Sequence, residues 1–410
     1  VRGEFQLDMC PDYSDQGNRS RISRLTERGV RVWGPERVYI GEEVLLDRIC
    51  PGAELINALI TGETTFIGSR AQIGVSGLAR IHQSQIGSSC VLGAGTYEHC
   101  VLLSTAKTRG FAELRGGTLL EEEAEIGHNV GLKNTVFTIG VVAGSCINYC
   151  DVLVTGGNSR TDHSEIGSGA THFNFDPRGD KFGSLLGDAT GWLLRSRRIF
   201  VGGNSGLVAP AHVRFGAVIA AGSMIRKDVG ENELSSGTAL HHSGEYDLEK
   251  YYDLSGKFCT TAKLIGNLHA LCTWYRSIRL AFADSEEKPL YVAAERELNG
   301  HRQYRAQQLS NVIDKLGRSL SKPSTAQDRG YGRQHRKIIE NRDKITSLLF
   351  EEQDVPPPSV VVAEYERHRC RKGHAASIRA MSQESVDLSA KWLREIAIRP
   401  ERAMRALFAE

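Results

Sequence analysis

The sequence predicts a mainly β protein, a parallel β-helix of six-residue repeats over Val38 to Val229 followed by a separate α-helical region. Three observations predict it. Apolar residues return every six positions at Val201, Leu207, Val213, Ile219 and Ile225. Four residues after each stand Ser205, Ala211, Ala217, Ser223 and Val229, small except for the last. Beyond Val229 the hexads give way to helical spacing. A period of six fits neither a helix nor a two-residue strand alternation, and it persists too far for chance. Each hexad must therefore take an equivalent place in a coil.

Earlier stretches keep the rule in shifted phases, with Ile67 and Ile73, Ile86 and Leu92, and Ile126 and Leu132. Gly often follows the apolar residue, as at Gly68, Gly74, Gly87, Gly127, Gly140, Gly167 and Gly202. Such a Gly is expected to let a short strand end in a tight corner. Three hexads then make one triangular turn, with the aliphatic residues pointing inward. A right-handed solenoid or a β-sandwich is the structural alternative, but neither favours strict hexads with small residues at the fifth place. Two segments break the pattern and read as extruded loops, Val152 to Ser164 and Asn174 to Arg198. Loops on a rigid scaffold commonly carry binding or catalysis.

The expected division is an N-terminal extension over residues 1–37, the β-helix over 38–244 and helices over 245–410. Helical spacing runs through Glu245 to Ala283, Leu290 to Leu320 and Asp328 to Phe350, and resumes from Val360 after Pro356-Pro357-Pro358. The sequence leaves the task of this region open between oligomerisation and a lid.

The 51 basic and 49 acidic side chains nearly cancel, so no general field draws nucleic acid or an acidic membrane. Basic clusters such as His335-Arg336-Lys337 and His368-Arg369-Cys370-Arg371-Lys372 read as solvated helix faces. Apolar stretches are too interrupted to span a bilayer, and no signal peptide is visible. The nine cysteines form no C-x-x-C pair, which favours free thiols in a reducing cytoplasm over a disulfide framework or a zinc site. The chain opens with Val1 instead of Met, which leaves upstream residues open.

Two segments resemble the acetyltransferase half of the bifunctional N-acetylglucosamine-1-phosphate uridyltransferase and glucosamine-1-phosphate acetyltransferase family. The first starts Phe111-Ala-Glu-Leu-Arg-Gly-Gly-Thr-Leu-Leu-Glu-Glu and continues through Ile126-Gly-His-Asn-Val-Gly-Leu-Lys133-Asn134. The second holds Asn174-Phe-Asp, Lys181, Val201-Gly-Gly-Asn-Ser-Gly-Leu-Val-Ala-Pro210, Ile219-Ala-Ala-Gly-Ser and Asp228-Val-Gly-Glu-Asn-Glu-Leu234. The resemblance implies a left-handed coil, a hand that periodicity alone does not reveal and that runs against the usual crossover preference. It also implies a homotrimer with clefts between neighbouring coils, a phosphorylated sugar or nucleotide sugar as ligand, and acetyl-CoA as acyl donor. No metal is expected. The uridyltransferase half has no counterpart here, so this chain alone is not expected to carry out that reaction.

Carried over by position, the resemblance makes Arg115 and Lys133 the grip on the sugar phosphate. A guanidinium forking onto two oxygens beside an ammonium point charge suits that anion. Tyr149 falls on a sugar-contacting tyrosine, Asn174 and Phe175 on an Asn-Tyr pair beside the transfer centre, Lys181 on the following lysine, and Ala221 on a backbone position along the acetyl-CoA arm. The departure that matters is at Cys146, which stands where the family has its catalytic histidine. A thiol is a poorer base than imidazole at neutral pH. His163 and His172, at the borders of the extruded loops, are the alternative bases, with Asp176 placed to orient an imidazole. Loss of the histidine equally fits a silent sugar-nucleotide-binding protein. A γ-type carbonic anhydrase would need three histidine ligands at an interface, and His82, His99 and His128 are too irregularly spaced to favour it.

Overall fold

The computed structural model describes residues 11–174, 176, 178–237, 250–320, 328–352, 355–369 and 373–409. Its first half is a parallel β-solenoid whose short strands stack coil upon coil into three flats. Among the described residues flat A holds eleven strands, from Arg31–Val32 to Leu234–Ser235. Flat B runs from Val38–Ile40 to Met224–Ile225, and flat C from Phe66–Ile67 to His212–Val213. The strands Gly131–Phe137 and Asn148–Val154 continue across the corner from B to C and join those flats into one sheet.

The hexad aliphatics meet inside this prism. Ile67, Ile73, Ile86, Leu92, Ile126, Leu132, Val201, Leu207, Val213 and Ile219 are all fully buried in one cluster. At one end the helix α1 (Gln16–Glu27), whose N-cap Asp15 accepts from Asn18 N at 3.2 Å, plugs the open core with Ile22 and Leu25. The solenoid therefore begins at Arg31, seven residues before the hexads become readable.

The glycines follow a different rule from the one expected. Of those glycines, Gly74 and Gly140 have positive φ, but Gly87, Gly167 and Gly202 do not. There the coils approach too closely for a side chain: a Cβ on Gly202 would lie 2.4 Å from Ala221 N. The left-handed corners fall largely on other residues, including Asn134, Cys146 and Asp151.

The extruded segments are shorter than the hexad breaks suggested. Val152–Val154 still belongs to a strand, and the first insertion is a hairpin pairing Gly157–Ser159 with Asp162–His163. Within the second, Ser184–Leu186 returns to flat C, and Ala189–Leu193 forms a 3₁₀ turn.

Among the described residues seven helices follow: α2 (Ser255–Trp274), α3 (Glu287–Leu320), α4 (Asp328–Glu340), α5 (Arg342–Phe350), α6 (Ser359–Arg369), α7 (His374–Ala380) and α8 (Gln383–Ala409). They cover flat C. Its outward residues Val101, Leu103, Leu119, Val136, Leu153 and Leu185 share one buried cluster with Leu264, Leu271 and Trp274 of α2 and with residues of α8. No helix among the described residues is long and apolar enough to cross a membrane.

Candidate functional site

Adjacent coils carry the predicted basic residues to one corner. Leu114 pairs in register with Leu132 and Leu132 with Tyr149, so these three stack inward. The next residues, Arg115, Lys133 and Cys150, stack outward by the alternation of a strand. Lys133 is in register with Cys150, and Arg115 N donates to Leu132 O at 3.0 Å. Lys181 joins them from the extruded loop. Burial pushes the Cys150 thiol up, the neighbouring Asp151 adds to this, and Arg115, Lys133 and Lys181 all pull it back. Three cations thus act on one half-buried thiol. Lys133 and Lys181 are exposed, and Arg115 is partly so, with a loose pairing to Glu113 at 3.5 Å.

The helical region holds this corner in place. Arg305 of α3, fully buried, donates to Asp151 Oδ1 at 2.7 Å. Asn134 Nδ2 donates to the same oxygen at 3.1 Å, and Asn174 Nδ2 reaches Asp151 Oδ2 at 3.4 Å. Asn174 also closes the extruded loop, since its Oδ1 accepts from Phe182 N at 2.6 Å. Two residues earlier, Asp180 accepts from Lys315 Nζ at 2.6 Å and from Tyr251 Oη at 2.7 Å. Lys181 is therefore flanked on both sides by fixed residues while its own side chain stays in solvent. Tyr304, beside Arg305, has its phenol within electrostatic reach of Cys150.

The three predicted catalytic residues are not brought together. Cys146 is exposed on the corner between flats A and B. His163 lies in the hairpin between flats C and A, where its Nδ1 donates to Arg160 O at 2.9 Å. His172 points into the prism: it is in register with Leu207, is 2% exposed, and pairs Nε2 with Ser184 Oγ at 2.7 Å. Burial drives its pKa down to about 3. The expectation that His172 faces the site is thus corrected, because its strand phase puts it among core residues.

Tyr149 is corrected for the same reason. Its ring is fully buried inside the coil, 5.9 Å from that of His172, and does not face solvent from this chain. Asp176, expected to orient an imidazole, is instead gripped by Arg178 at 2.6 and 2.8 Å. Phe175 lies outside the described residues. Ala221 is exposed at the A–B corner, across flat B from the basic corner. Cys150 was readable in principle, one coil beyond Lys133 as Lys133 is one coil beyond Arg115. Tyr304 and Arg305 carried no signal, since nothing in a helical pattern names the flat it covers.

No family model matches the chain. It is similar to the bifunctional protein GlmU of Acinetobacter baylyi, 30% identical over 233 residues, which is 57% of this chain and 44% of that protein. GlmU proteins of two Acinetobacter baumannii strains, ACICU and AYE, are each 31% identical over 223 residues, covering 53% of this chain and 43% of theirs. The chain spans less than half the length of these relatives. Stacked hexads, the outward Arg115 and Lys133, and this similarity agree: the chain carries a hexapeptide-repeat β-helix that resembles the acetyltransferase half of GlmU.

Proposed function

We propose that the chain is an acyltransferase-like protein that binds an amino-sugar phosphate or a uridine-linked sugar at the corner formed by Arg115, Lys133 and Lys181. The observation that carries this reading is the stacking of Arg115, Lys133 and Cys150 on adjacent coils, with Lys181 acting on the same thiol from the extruded loop. A phosphate between them would accept forked hydrogen bonds from Arg115 and point-charge contacts from the lysines. Acetyl-CoA is the donor in this reading, its arm running along the A–B corner past Ala221, with a transfer of the kind used in making UDP-N-acetylglucosamine. Flat A exposes Val218 and Leu234. That apolar edge suits packing against further copies in a trimer. Free cysteines in the described part suit a cytoplasmic setting.

Lys133→Ala is expected to weaken binding of glucosamine 1-phosphate by about 1 to 3 kcal/mol in isothermal titration, the size of a charge-assisted contact. An unchanged dissociation constant for every phosphorylated sugar tested would remove the corner from the proposal. A second reading, sugar binding without transfer, is favoured by the scatter of Cys146, His163 and His172 over separate places. Thiol release from acetyl-CoA in the presence of the sugar separates the two, because the silent protein releases none.

A further inference from the structure

A second, structurally separate cleft opens at the far end of the solenoid, where the last coils of flat C meet α2 and α8. It encloses about 360 Å³, within the range of small-molecule sites, and shares no lining residue with the basic corner. Its floor is His212, 7% exposed, on the strand His212–Val213. His212 Nε2 pairs with Gly187 O at 3.2 Å, which leaves Nδ1 to accept from Lys263 Nζ of α2 at 3.2 Å. Burial, with Lys263 beside it, lowers the imidazole to about 4, so it stays a neutral acceptor for the lysine. Lys263 also pairs with Glu401 of α8 at 3.3 Å. An ammonium carries three donors, so one N–H of Lys263 remains.

The charges around it are unevenly spent. Glu401 is shared with Arg405 at 2.8 Å, and Asp188 accepts from Thr190 N and Oγ1 at 2.8 and 2.7 Å. Arg214 and Arg394, both exposed and both lining the cleft, have no ion-pair partner among the described residues. Against them stands one carboxylate left over, that of Glu231. Phe215 and Ile398 supply an apolar wall, Ile398 being 42% exposed. A surplus of unpaired guanidinium beside an apolar wall defines an amphipathic anion as the fitting ligand.

We infer that this cleft binds a small phosphate monoester with an apolar body. Arg214, Arg394 and the remaining N–H of Lys263 hold the phosphate, and Phe215 and Ile398 pack on the body. The test uses the full chain carrying Arg115→Gln, Lys133→Ala and Lys181→Gln, which removes every cation of the basic corner, with phenyl phosphate and inorganic phosphate as titrants. Phenyl phosphate is expected to saturate one site. Adding Arg214→Gln and Arg394→Gln should weaken it at least about tenfold, and Ile398→Glu should weaken phenyl phosphate more than inorganic phosphate. Thermal melts without titrant check that each variant is folded; should the double variant melt early, the Ile398→Glu comparison decides alone. Non-saturating titration, or affinity for phenyl phosphate that ignores these substitutions in folded protein, overturns the inference.

Discussion

At position 172 an imidazole occupies the inward place that Leu207 and Ile225 fill in the next two coils. That substitution of a polar ring for an aliphatic one has a thermodynamic signature. The unfolded chain takes up a proton on this histidine near pH 6.5, whereas the folded chain resists until about pH 3. Its depressed pKa therefore contributes stability that is fully present above about pH 6.5 and is lost as pH falls from there toward 3. His172→Leu is expected to flatten this dependence. Between pH 7 and 5 the wild type should lose about 2 kcal/mol more in urea unfolding than the variant does. Equal losses would mean that the ring is protonated or solvated in the fold. The same position shows why roles were harder to read than places. Strand alternation sorts residues into inward and outward only once the phase is known, and each extruded loop resets it. His172 and Tyr149 lie just where the phase is ambiguous, so the resemblance puts Tyr149 outward and a place at a loop border does the same for His172, while the packing draws both in. Arg115 and Lys133, in an unbroken run of hexads, were legible as outward neighbours.

The element most telling for how the two regions meet is a short π-helical turn, Tyr275–Arg279, at the end of α2. The wider helical step sets Arg279, 1% exposed, between Glu121 at 3.2 Å and Glu122 at 2.7 Å at the corner where flat C turns into flat A, just before Ala124. Tyr275 Oη donates to Glu121 at 2.7 Å, and the guanidinium lies 4.7 Å from the Tyr275 ring and 5.2 Å from that of Tyr291. Glu121 also accepts from Ile139 N at 3.1 Å, so its burial is matched by donors. Arg279→Met leaves two carboxylates buried without their cation, and a loss of about 3 to 5 kcal/mol is expected in chemical denaturation. A change below about 1 kcal/mol would show that water reaches the pair. The Leu-Leu-Glu-Glu run was visible in the sequence as part of the family resemblance. Its acidic residues could not be assigned to the interface, because their partner lies more than a hundred and fifty positions away on a helix whose own spacing only says that it is helical. The outward Val101, Leu103, Leu119 and Val136 were likewise ordinary strand residues until α2 covered them.

A solenoid is quasi-one-dimensional: each coil touches only its neighbours, and long arrays tend to lose cooperativity. Here the helical region runs along flat C and ties distant coils to one body. Glu286 accepts from Ser69 and Ser88 at 2.9 and 2.7 Å, Glu297 from Gly117 N at 3.2 Å, and Asp151 is held by Arg305 at 2.7 Å. Further along, Asn267 accepts from Ala189 N at 2.6 Å, and Arg379 grips Glu123 through two contacts of 3.0 Å. Opening one end of the solenoid alone would strand buried partners of these helices, which costs more than the few neighbouring contacts of a coil. The whole chain is therefore expected to unfold in one transition despite its repeats. Tryptophan fluorescence, which includes Trp274 and Trp392 of the helical region, should trace the same urea midpoint as far-UV circular dichroism, which also follows the strands. Arg279→Met should move both curves together. Separate midpoints, with the helices leaving first and the strands later, would mean that flat C is stable uncovered and that the helical region is an attachment instead of a brace.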